Sequence, residues 1–244
     1  MLSSSERCTG DAILPARCVG WIKTRTRGVP GAGNCPSVSR DDATRQSSTI
    51  VTVNIAVLIY FGALELELTG ALTVFRTAAK YTDTELNAYT VSRTRASVVG
   101  ASGLVMTPTY AFSAAPEPDA LFVPGGSNLD RMLKDIPTRE YLKAQGERVQ
   151  YLCASSSGAL LLGDAGLVAG QLVTTFPSLL ETLWKYDPAD VRSDAIVRNP
   201  NGRLFSSRSS GAALMALEVV GRCVSPEVAV QTAQHLGVEW SPLE

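Results

Sequence analysis

Residues 151–162 read Tyr-Leu-Cys-Ala-Ser-Ser-Ser-Gly-Ala-Leu-Leu-Leu, and this run constrains the fold more than any other stretch. An apolar, strand-like segment enters three consecutive serines and leaves through Gly158 into a helix-like run. A strand that turns sharply into a helix lifts one side chain above the sheet edge. It also aims the helix's first N–H groups at any negative charge that develops there. Small residues at the turn are required because strand end and helix start crowd together. In Ala154-Ser155-Ser156-Ser157-Gly158 the tip of such a nucleophile elbow is Ser156.

Around that turn, strand and helix signals alternate. Residues 52–60 form a nearly continuous apolar run with β-branched members, as expected for a parallel strand covered on both faces. Residues 67–79 predict a helix with Leu68, Leu72 and Phe75 on one side. Residues 87–91 and 97–99 read as strands, while Pro108 limits 104–110 to an edge strand or loop. A short strand at 120–123 is stopped by Pro124-Gly125-Gly126, and 138–147 reads as helix. The elbow helix, 158–165, ends at Gly166 as a C′ residue. A strand at 172–176 precedes Pro177 at a helix start. Strands at 194–197 and 204–206 flank Asn199-Pro200-Asn201-Gly202, a hairpin turn. Helices at 209–220 and 226–236 close the chain, the second with Ser225 as N-cap and Pro226 at N1. No internal repeat is visible. Alternation of this kind predicts one α/β domain with a doubly wound, mostly parallel sheet and helices on both faces.

Composition narrows the function. A chain of 244 residues, 45% hydrophobic, can bury one sizeable α/β core. A net charge of −1 gives no electrostatic case for nucleic acid or an anionic membrane. No apolar run approaches a membrane span, so a soluble protein is expected. Five cysteines without Cys-x-x-Cys spacing argue against a disulfide framework and a zinc site, and point to a reducing, cytoplasmic setting. Residues 1–51 are rich in Ser, Thr, Arg and Gly, hold Cys8, Cys18 and Cys35, and show no sustained apolar period. An unstructured extension without catalytic role is expected there. Organelle targeting, which Glu6, Asp11, Asp41 and Asp42 disfavour, and a start codon set too far upstream are the other readings. The folded domain is expected over 52–244.

Several ordered motifs together resemble the ThiJ/PfpI superfamily, α/β proteins that include isocyanide hydratases, glyoxalase-like enzymes and the PfpI proteases. The resemblance runs from about Val53 to Trp240. It rests on Asn54-Ile-Ala-Val-Leu-Ile-Tyr60, Leu66-Glu67-Leu68-Thr69-Gly70, Pro118-Asp-Ala-Leu-Phe-Val-Pro-Gly-Gly126, the elbow with its following Gly158–Gly170 stretch, Leu172-Val-Thr-Thr-Phe-Pro177 and Gly202-Arg-Leu-Phe-Ser-Ser-Arg208. It implies a flavodoxin-like or class I glutaminase-like fold, a cofactor-free site without metal, a small-molecule substrate and a homodimer.

Two departures from the family pattern bear on chemistry. The family's elbow reads Cys-x-Gly, and here Ser156 stands where the cysteine belongs. Cys153 lies three residues too early and reads as a buried small apolar side chain. Many members carry histidine where this chain has Phe176. The resemblance casts Ser156, Glu67, Gly126 and Ser157 as the catalytic set, with Gly125, Arg208 and Phe176 around the substrate. Gly126 and Ser157 would offer N–H groups to an oxyanion, although Gly125-Gly126 also suits a plain tight turn. Desolvation favours a carboxyl's neutral form, so a buried Glu67 could donate or shuttle a proton. Against that stands an ordinary first-turn carboxylate, the role expected of Glu65. Serine needs a base to attack at neutral pH. The only histidine, His235, lies in the last helix and reads as a surface or half-buried residue. Ser156 therefore attacks, or only holds a ligand. Arg208 binds an anionic group or is an exposed neighbour of a serine cap.

Overall fold

The polypeptide alternates its side chains into two separate cores. Along β1 (Thr52–Leu58) and just beyond it, Ile55, Val57 and Ile59 enter one hydrophobic cluster, whereas Ala56, Leu58 and Tyr60 enter the other. The strand is thus buried on both faces from Ile55 onward, which is why its sequence is almost wholly apolar there. The computed structural model describes residues 51–241. The extension expected over 1–51 lies outside the described residues apart from Val51.

The elements follow in order. After β1 come α1 (Glu65–Ala78), β2 (Glu85–Ser92), β3 (Val98–Val99), β4 (Val105–Met106), β5 (Tyr110–Ala111) and β6 (Ala120–Val123). Next are α2 (Leu129–Met132), α3 (Ile136–Gly146), β7 (Tyr151–Ser155) and α4 (Gly158–Asp164). The chain continues through β8 (Leu172–Val173), α5 (Leu180–Leu183), β9 (Asp190–Val191), β10 (Ile196–Arg198), β11 (Leu204–Ser207), α6 (Ala212–Cys223) and α7 (Pro226–Leu236). Seven strands build the main sheet in the order β10-β11-β7-β6-β1-β2-β5. Every pairing is parallel except the β10–β11 hairpin. One face is covered by α1, α6 and α7 through residues such as Phe75, Met215 and Ala229. The other is covered by α3 and α4 through Leu142, Leu160 and Leu162. The chain is therefore doubly wound, as the alternation predicted. Among the described residues no helix is long and apolar enough to cross a membrane.

Several terminators behave as their chemistry dictates. Gly166 adopts φ +77° and closes α4 with two backbone bonds, Gly166 N–H to Gly163 O at 2.9 Å and Leu167 N–H to Leu162 O at 2.9 Å. This is a Schellman ending, which a residue without Cβ makes at low cost. The Ser225 hydroxyl caps α7 by accepting Val228 N–H at 3.3 Å. Beyond Pro108 the chain returns as β5, an edge strand pairing Val91 with Tyr110. Two expectations need correction. The strand expected over 172–176 shrinks to Leu172–Val173 and pairs with β9 outside the main sheet. There the Thr174 N–H turns aside to the Ser206 hydroxyl, 2.8 Å away, leaving the ladder. The segment at 97–99 likewise joins β4 in a separate hairpin. Leu72 is only half-buried, at the margin of its core.

Candidate active site

Three strand ends converge beyond the carboxyl edge of the sheet. β1 runs through Tyr60 into the turn that starts α1, and this turn is fastened to the end of β6. Ala63 bridges Gly126, Leu64 N–H donates to Gly125 O at 2.8 Å, and Ser127 N–H donates to Gly62 O at 2.8 Å. Fastening the helix start in this way sets Glu67, in the first turn of α1, beneath the Gly-Gly turn. The Gly125 N–H donates to Glu67 Oε2 at 2.7 Å. The approach is too close for side chains: a Cβ on Gly125 would stand 2.8 Å from the Ser156 Cβ. One on Gly158 would stand 2.3 Å from Val123 O.

β7 supplies the elbow. Ser156 sits at φ +49°, one of two non-glycine residues with positive φ among the described residues, and is fully buried. A left-handed backbone at a residue with a Cβ costs of order 1–3 kcal/mol and persists only where neighbours hold it. Here Ser156 N–H donates to Ser207 O at 2.7 Å, and the Thr175 hydroxyl donates to Ser156 O at 2.7 Å.

The Glu67 carboxyl is fully buried and sits at the centre of a hydroxyl cluster. Ser155 donates to Oε2 and Ser156 to Oε1. Ser209, on the short turn before α6, donates to Oε1 at 2.6 Å and lies 2.7 Å from the Ser156 oxygen. With Gly125 N–H, four donors meet one carboxyl. No cation pairs with it among the described residues. Burial, and then the neighbouring Glu67 charge, hold the Tyr60 phenol far above its ordinary range, and its hydroxyl donates to Pro124 O at 2.8 Å. A depression of about 480 Å³ opens onto Ser209, with the buried Glu67 behind it, bounded by Leu64, Leu66 and Ser102.

Of the residues expected at the site, Ser156, Glu67, Gly125, Gly126 and Ser157 come together. The proposed oxyanion donor Gly126 N–H is engaged, donating to the Ser157 hydroxyl at 2.9 Å. Phe176 is half-buried and precedes a short 3₁₀ turn, Pro177–Leu179; its neighbour Thr175 is the residue that reaches the elbow. Arg208 turns its guanidinium to the Ser193 carbonyl. Cys153 is buried in the core, and burial, reinforced by nearby Cys223, pushes its thiol far up. His235 pairs through Nδ1 with the Tyr81 hydroxyl at 2.8 Å, on the exposed side of α7. Glu65 is no bystander: it accepts Ser102 N–H at 2.9 Å and the Ser102 hydroxyl at 2.8 Å, tying the β3–β4 hairpin to α1. Sequence reasoning passed over Ser155, Ser209 and Thr175. The serine-rich run 206–210 around Arg208 is the signal that points to Ser209.

Comparison with known proteins agrees with this geometry. Residues 53–221 match the model of the DJ-1/PfpI family. The isonitrile hydratase of Pseudomonas putida is 28% identical over 202 residues, covering 79% of this chain and 80% of the relative. In fold, a ThiJ/PfpI family protein from Pseudomonas syringae superposes with a TM-score of 0.71 at 21% identity, covering 86% of this chain and 85% of that one. Drosophila melanogaster DJ-1beta gives 0.68 at 20% identity, covering 78% of this chain and all (100%) of that one. With the elbow, the Gly-Gly turn and the buried acid in one place, and a family match over more than half its length, this chain belongs to the DJ-1/PfpI family.

Proposed function

We propose that this protein is an enzyme that adds water to a small carbonyl or isocyanide-like compound, with Ser156 as nucleophile and Glu67 as proton carrier. The observation that carries the reading is the pairing of a strained, buried elbow hydroxyl with a buried carboxyl. Strain of that kind concentrates where a side chain must be aimed at a reacting atom. With an isocyanide, R–N≡C, Ser156 Oγ bonds to the terminal carbon. Its proton passes to Glu67, which returns one to that carbon and leaves Ser–O–CH=N–R. Water then adds to the same carbon and nitrogen takes a proton. The Oγ–C bond breaks with a proton returned to Ser156, releasing the formamide R–NH–CHO. With a carbonyl, the first step makes an oxyanion. The Gly126 and Ser157 N–H groups serve it once the Ser157 hydroxyl gives way. Alternatively, Glu67 activates water directly while Ser156 only orients the ligand. A carboxylate is a poor match for an alcohol's proton, so turnover is slow, and thiol-dependent conversion of methylglyoxal is absent or very slow. The functional unit is a homodimer, which sedimentation at micromolar concentration checks; a monomer mass alone refutes it.

A second reading, a ligand-binding module that retains the pocket without catalysis, is favoured by one observation. Ser156 is fully buried and its oxygen is already engaged by both Glu67 and Ser209. An isocyanide hydration assay on the wild type, Ser156→Ala, Glu67→Gln and Ser156→Cys separates the two. The enzyme reading expects Glu67→Gln to lose about 100-fold or more. Ser156→Ala keeping full turnover would leave only water activated by Glu67. Iodoacetamide near neutral pH, followed by peptide mass spectrometry, should modify the introduced thiol in Ser156→Cys before Cys153 or Cys223. A reactive thiol with no turnover in any variant supports the binding module, and an inert thiol sinks the catalytic reading of the elbow.

A further inference from the structure

A second concavity, of about 340 Å³, opens beyond the carboxyl ends of β1 and β2. In open α/β sheets that edge is where ligands sit. Tyr60 stands between this concavity and the elbow, lining the former while its hydroxyl bonds Pro124 O at 2.8 Å beside the latter. Three cationic side chains line the wall from two stretches of the chain. Arg93 follows β2 directly, Arg131 belongs to α2, and Lys134 comes just after it. The one carboxylate in the lining, Asp135, is already committed. It pairs with Arg93 at 3.2 Å and accepts the Thr138 hydroxyl at 2.5 Å. Arg131 stacks over the Phe61 ring at 4.9 Å, a contact that leaves its charge uncompensated. Lys134 forms no ion pair among the described residues. Three cations against one carboxylate leave an excess of two positive charges on one concave wall, in a chain whose net charge is −1.

We propose that this concavity is a second binding site, distinct from the Ser156 elbow, for a small phosphate monoester. A wall with two uncompensated cations matches a dianion; a monocarboxylate would leave one of them without a partner. The Arg131 guanidinium offers a planar fork suited to phosphate oxygens, and Lys134 offers a point charge beside it. Phe61, 41% exposed, gives the organic part of the ester an apolar surface. The volume lies at the low end for ligand pockets, which restricts the ester to a small one.

The test is titration of the full chain with phenyl phosphate, with benzoate and sodium chloride at matched ionic strength as comparisons, read by calorimetry and thermal midpoint. Binding of phenyl phosphate with a raised midpoint is expected, and benzoate should bind at least tenfold more weakly. Arg131 and Lys134 are both exposed, so Arg131→Ala/Lys134→Ala should fold normally and weaken phenyl phosphate binding by more than about tenfold. Ser156→Ala should bind it like the wild type. No binding to the wild type, equal binding of benzoate, or unchanged affinity in the double variant each overturn the proposal. Loss of binding in Ser156→Ala does so too, because it would move the phosphate to the elbow. The catalytic reading of Ser156 stands or falls separately.

Discussion

At the scale of the residue, Glu67 is the most heavily committed side chain among the described residues. Its carboxyl takes four hydrogen bonds from Gly125, Ser155, Ser156 and Ser209 in a fully buried position. Removing it would strand those donors away from water, and an unmet buried polar group costs about 1–3 kcal/mol. Glu67→Ala is therefore expected to destabilise the fold by about 3 kcal/mol or more. Glu67→Gln should cost about 1 kcal/mol, since its carbonyl can still accept Gly125 N–H while the Ser156 and Ser209 hydroxyls rotate so that their oxygens accept from its amide N–H. Urea unfolding followed by fluorescence measures both. A Glu67→Ala midpoint equal to wild type would mean that the cluster does not form. The same paired logic explains why Cys153 is no substitute nucleophile: it lies inside the core with its thiol held neutral by burial, then by Cys223.

At the scale of the element, the two glycines that bracket α4 do different work. Gly158 opens the helix where a Cβ would meet Val123 O at 2.3 Å, whereas Gly166 closes it at φ +77° with nothing within 4 Å of its Cβ position. Gly166→Ala faces only the left-handed backbone cost, about 1–2 kcal/mol. Gly158→Ala must push the end of β6 away from the elbow and should cost more. Ser225→Ala, which removes the α7 cap, should cost about 1 kcal/mol. Chemical denaturation of the three variants should rank Gly158→Ala as the most damaging; equal losses would mean that β6 and α4 are not in close contact. The β3–β4 hairpin depends on a carboxylate in the same local way. Slight desolvation of Glu65 acts upward, but hydrogen bonds from its own backbone, Ser102 and Leu104 outweigh it and hold the carboxyl below the ordinary value.

At the scale of the whole molecule, two apolar cores on either side of one sheet enclose groups that resist ionisation. Burial, and to a lesser degree Asp119, pushes the Cys223 thiol from 9.0 up to about 12, and burial pushes the Tyr141 phenol from 10.0 to about 12. A raised folded-state value means that the neutral form is favoured in the native protein. The associated stability is fully present below the unfolded values and is lost as pH rises toward the folded ones. Scanning calorimetry should give a thermal midpoint that is level between about pH 7 and 8 and falls from about pH 9 upward. Cys223→Ala should fall less steeply between about pH 9 and 12 than wild type. Parallel slopes in the two proteins would contradict the assignment to Cys223.

What could be read in the chain was whatever depends on near neighbours. The nearly continuous apolar run of β1, the Ser225 and Pro226 start of α7, the Gly166 stop and the Asn199–Gly202 turn each follow from local dihedral preference and burial period. The Ser156 elbow was legible for the same reason, because strand, small turn and helix are contiguous. Sequence could not decide which donors meet at Glu67, since Gly125, Ser155, Ser156 and Ser209 follow three strands, or end them, that are brought side by side only by the sheet order β11-β7-β6-β1. Nor could it show that Gly126 N–H is taken by the Ser157 hydroxyl or that β8 leaves the main sheet. Those outcomes rest on distances between segments far apart in the chain, which hydrogen-bonding capacity alone does not specify and close packing of the strand ends does.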